Sequence, residues 1–559
     1  MAHRLLLILA LLAVAFAPAA HADPLRFREV SVPWGIDFRH HHGGSGERYM
    51  VETMSGGVVV FDFDGDGDLD LFFVDGGSLP GYKGEPARSR LFRNDRDPAG
   101  GGKFVDWTER SGIRVTTYGS GGTAGDIDGD GDLDLFVSGF GSDQLFRNDG
   151  DGTFTDVTAQ AGVSDPQWST SSAFADVDGD GDLDLYVANY VDFSVANHKY
   201  CGDRTRNLRG YCHPDVYNGQ PHRLYRNRGD GTFEESAKAL GLGGAVAPGL
   251  GVVFGDVDDD GWPDLYVAND TTPNFLFRNL GPGAEGRPDG AFEDISLLSG
   301  TAYGDKGVPE AGMGVDMGDY DNDGRLDIVV TNFELETNAL YRNLGGGSFL
   351  DSRAVARIAE PSLLNLAFGV AFADFDQDGD LDLVVANGHI NDNAAEFLQG
   401  SRYRQRNQLF ENLGDGKFRE EKEGGMDVVR ASRGLSLGDL DGDGDLDVVV
   451  VDSNEPCEVY ENVTAGGHWV QADFSPLGAP PFGNRFAIGA RIEVEAAGKR
   501  QIREVRTASS YLSQSALTVH AGVGKAGTID RFTVKRRTKG GLKTEVHLGL
   551  PADRRYVLP

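Results

Sequence analysis

The sequence predicts an all-β chain, a seven-bladed β-propeller followed by a small β-sandwich-like domain, and three observations lead there. Glycine occurs 79 times in 559 residues without a collagen-like period, which favours many tight turns between short strands. An Asp-rich nine-residue motif recurs seven times, each copy running into a strand-like apolar stretch. After residue 462 the motif stops and the charge balance reverses.

Residues 1–22 hold Arg4, an apolar run from Leu5 to Phe16, and Ala20-His21-Ala22 in a small-x-small arrangement. This is the pattern of a secretory signal peptide cleaved near Ala22, and the run is short for an uncleaved anchor. No later segment is apolar for ~18 residues, so no transmembrane span is expected and the mature chain is expected to be secreted or periplasmic. Lys and Arg number 52 against 87 Asp and Glu, a formal charge of −35, which repels nucleic acid and anionic lipid and excludes a nucleic-acid-binding function.

In the segment 23–462 the motif D-x-D-x-D-G-x-x-D starts at Asp62, Asp126, Asp176, Asp256, Asp319, Asp374 and Asp439. Its carboxylates would repel one another and destabilise the fold unless a cation lay between them, so up to seven Ca2+ ions are expected. In the first copy Asp62, Asp64, Asp66 and Asp70 offer side-chain oxygens and Asp68 its backbone carbonyl, while Gly67 permits the sharp turn. The same register gives Asp126, Asp128, Asp130, Asp132 and Asp134, then Asp176, Asp178, Asp180, Asp182 and Asp184. It continues with Asp256, Asp258, Asp260, Trp262 and Asp264, and with Asp319, Asp321, Asp323, Arg325 and Asp327. Asp374, Asp376, Asp378, Asp380 and Asp382, then Asp439, Asp441, Asp443, Asp445 and Asp447, complete the set. An EF-hand is excluded, because position twelve is Phe73 or a valine and the flanks are β.

Each Asp loop is followed by a strand, a Leu-x-x-Asn element (beginning at Leu91, Leu145, Leu224, Leu276, Leu340, Leu409 and, as Val-Tyr-Glu-Asn, at Val459), a Gly-rich turn and a Phe-headed strand. Such four-stranded meanders read as propeller blades, since one small sheet cannot bury both faces alone; a solenoid of hairpins is the alternative. Only six Phe-headed strands follow a Leu-x-x-Asn element, at Phe104, Phe154, Phe233, Phe292, Phe349 and Phe418. Phe27-Arg28-Glu29-Val30-Ser31 matches Phe154-Thr155-Asp156-Val157-Thr158, so the mature amino terminus is expected to complete the last blade and remove an open edge.

Residues 463–559 contain 15 Lys and Arg against 7 Asp and Glu and show the alternation of short antiparallel strands. Their basic groups either dock on the acidic ring, face an anionic partner or are simply solvated. Cys201 and Cys212 share one insertion and are the expected disulfide, closing a loop worth about 3 kcal/mol, with Cys457 left over.

With these features together the chain resembles the FG-GAP/VCBS repeat proteins of the cartilage acidic protein type that carry a carboxyl-terminal ASPIC/UnbV domain. Asn387-Gly388-His389-Ile390, Gly489-Ala490-Arg491, Arg503-Glu504-Val505-Arg506 and Tyr511-Leu512-Ser513-Gln514 add to it. The resemblance implies calcium in the Asp loops and an extracellular binding role, and it supplies no catalytic residue. Tyr211-Cys212-His213-Pro214 departs from the Tyr-Cys-Gly-Pro more usual in the family.

No nucleophile elbow, zinc pair or phosphate loop is present. The expected function is therefore an exported calcium-binding binding, adhesion or scaffold protein, monomeric, with a protein or polysaccharide partner; an exported carbohydrate-active or tailoring enzyme is the alternative. From the ninth motif position to the next Leu-x-x-Asn element the chain takes 11 to 13 residues in four repeats but 21, 40 and 27 in the first, third and sixth. These insertions fall on the face opposite the Asp loops, where a ligand around the channel is expected to meet His40, Glu52, Tyr200, Arg204, Tyr211, His213, His389 and Asp392. His40, His41 and His42 are expected to be solvated or capping rather than metal ligands.

Overall fold

The computed structural model describes residues 24–95, 103–283, 286–474, 484–538 and 540–558; the expected signal peptide lies outside them. Seven four-stranded antiparallel sheets form as meanders, each led by a strand that ends at an Asp loop. The first blade is Val58–Phe61, Asp70–Phe73, Arg90–Asn94 and Phe104–Asp106. Blades two to six repeat it, beginning at Tyr118–Gly125, Ser169–Ala175, Gly249–Gly255, Val315–Gly318 and Ala367–Ala373. The seventh joins Ser432–Gly438, Asp447–Asp452 and Glu458–Asn462 to the amino-terminal strand Phe27–Glu29, in the register Phe27 to Asn462 and Glu29 to Tyr460. Leading strands pack each against the next, and the seventh against the first, so the ring closes and the solenoid alternative falls.

The second strands are buried on both faces, since each lies between two neighbouring blades, and their Leu, Val, Phe and Tyr side chains build the inter-blade cores. The asparagine of each Leu-x-x-Asn element holds the blades together. In blades one to six its Nδ2 donates within its own blade to the carbonyl before the ninth Asp, and in all seven it donates across to the preceding blade's Asp loop. Asn148 reaches Phe63 O at 2.7 Å, Asn227 reaches Ile127 O at 2.7 Å, and Asn94 reaches Leu440 O of the seventh blade at 2.8 Å. Asn279, Asn343, Asn412 and Asn462 repeat the bond to Val177 O, Val257 O, Tyr320 O and Phe375 O. Asn94→Ala strips a buried carbonyl of its partner at the point of closure and should cost about 1–3 kcal/mol. Urea denaturation measures this, and an unchanged midpoint would show that Asn94 contributes nothing to holding the seventh blade.

Beyond the ring, Lys499–Glu504, Arg491–Ala496, Thr528–Thr538 and Gly541–Pro551 form one sheet, and Val519–Gly524, His468–Phe474 and Arg554–Leu558 another. Val470, Ala472, Ile492, Val494, Phe532 and Val534 pack between them, in a cluster that continues into Phe136, Leu145 and Phe174 of the second and third blades. The segment linking Glu504 to Val519 leaves this domain and enters the axis of the propeller. Tyr511 and Leu512 are fully buried there. Val60 N donates to Gln514 O, Gly122 N to Leu512 O, Phe174 N to Thr507 Oγ1, Val315 N to Ser510 O, Val370 N to Ser510 Oγ and Leu437 N to Ser515 Oγ. Six blades are thus bonded to one plug. Glycine is needed where it passes: a Cβ on Gly57 or Gly121 would stand 2.0 or 2.5 Å from Leu512 O.

Candidate functional site

The seven Asp loops lie on one face and share one construction. The first-position carboxylate accepts turn amides: Asp62 takes Gly65 N at 2.8 Å and Gly67 N at 2.9 Å, and Asp126 and Asp439 do likewise. The ninth carboxylate is buried and takes two more, Asp70 from Phe63 N and Asn94 N, and the pattern holds through Asp134, Asp184, Asp264, Asp327, Asp382 and Asp447. Each loop is thereby pinned at its first and ninth carboxylates.

Carboxylate oxygens of Asp62, Asp64 and Asp66 approach within 4.8 Å of one another, as do those of Asp126, Asp128 and Asp134, of Asp176, Asp178 and Asp184, of Asp256, Asp258 and Asp260, and of Asp319, Asp321 and Asp323. In six of the loops one buried oxygen accepts no hydrogen bond: Oδ1 of Asp64, Asp128, Asp176, Asp258, Asp374 and Asp445. Burial, then mutual repulsion, pushes Asp376 up to about 8 and Asp445 up to about 10. Asp176, Asp256, Asp319 and Asp374 are raised to about 7, by burial first. All-oxygen donors, orphaned lone pairs and unneutralised charge fit a hard divalent cation. Arg226 pairs with Asp178 of the third loop and Arg93 lies 3.9 Å from Asp64 of the first, and the fifth loop carries two such arginines. Arg342 Nε lies 2.6 Å from Asp321 Oδ2, and both Arg342 and Arg325 pair with Asp323, so guanidinium groups already neutralise this cluster.

The carboxyl-terminal domain covers this same face, and its basic residues meet the loops directly. Arg555 donates to Gly67 O at 2.7 Å, Arg485 to Asp130 O at 3.2 Å, and Arg491 to Asp256 O at 2.6 Å while pairing with Asp259 at 2.5 Å. Arg537 stacks 4.5 Å over Trp262 and donates to Asp260 O, and Lys499 pairs with Asp380 at 3.2 Å. Gln471 Nε2 and Gly522 N donate to Asp439 and Asp374 themselves. Of the readings open for the basic domain, docking on the acidic ring is the one observed.

On the opposite face, residues 38–54 and the insertions of the third and sixth repeats come together. The third insertion is cross-linked by Cys201–Cys212, with Cα atoms 5.1 Å apart, while Cys457 is a buried free thiol. Tyr211 OH donates to Glu52 Oε2 at 2.7 Å, Tyr211 N donates to Asn391 Oδ1, and Arg48 bridges Asp392 at 2.7 Å. Tyr200 and Arg204 stack at 4.5 Å on an exposed hairpin, and His213 sits exposed beside Asp215. His40 and His389 lie deeper. His40 is fully buried between Ser55 Oγ and Asn454 N, so of the solvated and capping roles expected it takes the second, accepting a backbone amide, and burial lowers it to about 4. His389 accepts from Asn391 N and is lowered to about 4 by burial and by Arg433. The channel expected to hold a ligand is filled by the 507–516 plug, whose Tyr511 OH touches Met54 Sδ at 3.2 Å.

Sequence reasoning passed over three participants. The Leu-x-x-Asn asparagines recur seven times, and that recurrence was itself the signal for their bonding role. Arg433 is fully buried, lies 4.2 Å over Phe368, and donates to Thr53 O, Gly388 O, Ser432 O and His389 O, tying the loop-rich face to the seventh blade. The plug carried only the Tyr-Leu-Ser-Gln motif.

A closed propeller of Asp-loop repeats capped by a basic β-domain is the class this geometry defines. A family model described as FG-GAP-like repeat matches residues 62–137, 126–187, 212–267, 256–330, 319–385 and 391–450, more than half of the chain, and one described as ASPIC and UnbV matches 481–559. The chain belongs to the FG-GAP-like repeat family and carries an ASPIC/UnbV domain at its carboxyl end. It is similar to cartilage acidic protein 1 of Xenopus tropicalis, 26% identical over 306 residues covering 54% of this chain and 43% of that one. The human cartilage acidic protein 1 is 27% identical over 285 residues, 50% of this chain and 39% of the relative. The chain thus matches about two fifths of the length of these relatives. Among solved structures, an Agrocybe aegerita lectin described for recognition of non-reducing terminal N-acetylglucosamine aligns at a TM-score of 0.39 and 15% identity, covering 72% of this chain and 87% of the lectin. A Bacillus licheniformis rhamnogalacturonan lyase aligns at 0.29 and 13%, covering 80% and 90%. Likenesses this distant carry nothing about ligand or reaction.

Proposed function

We propose that this is an exported calcium-binding propeller that acts as a binding, adhesion or scaffold protein, presenting its loop-rich face to an extracellular or periplasmic protein or polysaccharide. In this reading residues 1–22 direct export and are removed near Ala22, 23–462 form the propeller and 463–559 the second domain. Calcium sits in the Asp loops, held by side chains at positions one, three, five and nine and the carbonyl at position seven. Among the described residues no helix is long and apolar enough to cross a membrane.

One observation carries the assignment of the face: the carboxyl-terminal domain occupies the Asp-loop side while the third and sixth insertions gather on the other. Loops placed on a rigid scaffold are where binding groups concentrate. Tyr200, Arg204, His213 and Asp392 are the candidate residues whose side chains reach solvent; Glu52, Tyr211, His40 and His389 would shape the loops from beneath. A partner captured from extracellular protein or a glycan array should lose at least tenfold in affinity on combined Tyr200→Ala and Arg204→Ala, as when an aromatic and an arginine anchor are removed. Calcium-dependent melting should stay unchanged. Retained affinity would move the partner to another surface.

A further inference from the structure

We propose that a cavity on the loop-rich face binds an organic cation, an alkylammonium or guanidinium group on a short apolar stem, with Asp270 and Glu336 as its counter-charges. The proposal deepens the assignment of that face as the ligand face and rests on it. The cavity measures about 220 Å³ and is bounded by residues 50–54, the third insertion and residues 270–271, 311–336 and 390–391. Drug-sized sites are larger, ~300–1,000 Å³, so this one suits a group the size of one side chain.

Its chemistry is one-sided. Met50, Met54, Met313 and Phe333 give apolar walls, and Tyr190 and Tyr211 add aromatic rings. Among the described residues no lysine or arginine lines it, while Asp270 and Glu336 both do. Asp270 is more than nine-tenths buried, and its Oδ2 accepts the Tyr190 hydroxyl at 2.5 Å. Among the described residues Oδ1 accepts no hydrogen bond. Glu336 is half-buried, and its Oε2 accepts Ala311 N at 2.9 Å. His213 at the mouth pairs with Asp215 at 2.8 Å. Burial raises Asp270 to about 6 in spite of the Tyr190 hydrogen bond and His213, and raises Glu336 in spite of its backbone hydrogen bonds and Lys306. Thr271, beside Asp270, is held at φ 59°, a conformation β-branched residues rarely adopt.

A metal ion fits poorly, because thioethers and aromatic rings replace the six to eight oxygens that calcium takes. An ammonium or guanidinium fits better: its stem lies against methionine and phenylalanine, its charge meets two carboxylates, and aromatic faces attract it further.

Titration calorimetry on the full, calcium-loaded chain tests this with agmatine, a guanidinium and an amine on a four-carbon stem, against hexanol and hexanoate. Agmatine should bind and the two controls should not. Asp270→Asn keeps the shape and the Tyr190 bond, and Glu336→Gln changes a more accessible group; each should weaken agmatine at least tenfold with the melting temperature unchanged. Agmatine binding no better than hexanol, or equally to wild type and both variants, overturns the proposal. If agmatine binds as expected while the Tyr200 and Arg204 substitutions leave the partner unaffected, the cavity stands and the partner surface is elsewhere. If those substitutions abolish partner binding and agmatine does not bind, the cavity assignment alone fails.

Discussion

Removing calcium should lower the melting temperature of the full chain by about 10 °C. A ligand that binds only the folded state at ten times its dissociation constant adds about 1.4 kcal/mol per site, so seven sites sum to about 10 kcal/mol. A ring of about 440 residues has an unfolding entropy near 0.9 kcal/mol/K on the usual ~2.1 cal/mol/K per residue, which gives the shift. The buried lone pairs on Asp64, Asp128, Asp176, Asp258, Asp374 and Asp445 make the cost concrete, because without a cation each is desolvated and unpaired. The fifth loop should be the weakest site, since calcium there competes with Arg342 and Arg325 for Asp321 and Asp323. Scanning calorimetry in excess calcium and in chelator measures the shift, and metal analysis after dialysis measures the count. Equal melting temperatures in the two conditions would refute the calcium assignment.

Tyr511→Ala should destabilise the protein by about 3–5 kcal/mol, the range for deleting a buried aromatic side chain. Tyr511 is fully buried in the axis, 4.9 Å from Phe368 in an edge-on contact. Gln514→Ala should cost about 1–3 kcal/mol by leaving the buried Ala124 N without its acceptor, while Thr123 Oγ1 keeps Thr507 O. The plug bonds to six blades and belongs to the carboxyl-terminal domain, so the wild type should unfold ring and domain together. Tyr511→Ala should separate the two into distinct denaturation steps. A loss under about 0.5 kcal/mol, as for a surface substitution, would show that the domain merely rests on the ring.

The fold was legible where residues repeat. Seven copies of D-x-D-x-D-G-x-x-D set seven equivalent turns, and the copy of Phe154-Thr155-Asp156 at Phe27-Arg28-Glu29 named the closing strand, because strand pairing is specified by local pattern and turn chemistry. The two-faced layout was also readable, since loop lengths along a meander assign each connection to one end. What was not readable has no period. His40 sits next to His41 and His42 in an extended segment and reads as surface, yet Asn454 and Ser55, the first more than four hundred residues away, enclose it. Asp270 and Glu336 belong to different blades, so nothing in their separate sequence contexts marks them as facing one cavity.

By itself, then, the sequence determined the blade, the carboxylate clusters of the Asp loops, the disulfide and the charge contrast between ring and tail, all of which depend on neighbours close in the chain. Only the tertiary structure decided where the tail goes. The basic domain could have met any acidic surface, because charge complementarity is long-ranged and unspecific. Its position is fixed instead by close packing along the axis, where Gly57 and Gly121 leave room for the Leu512 backbone and Gln514 meets the amide of Ala124. That fit exists only once seven blades have closed into a ring, so no stretch of the chain encodes it alone.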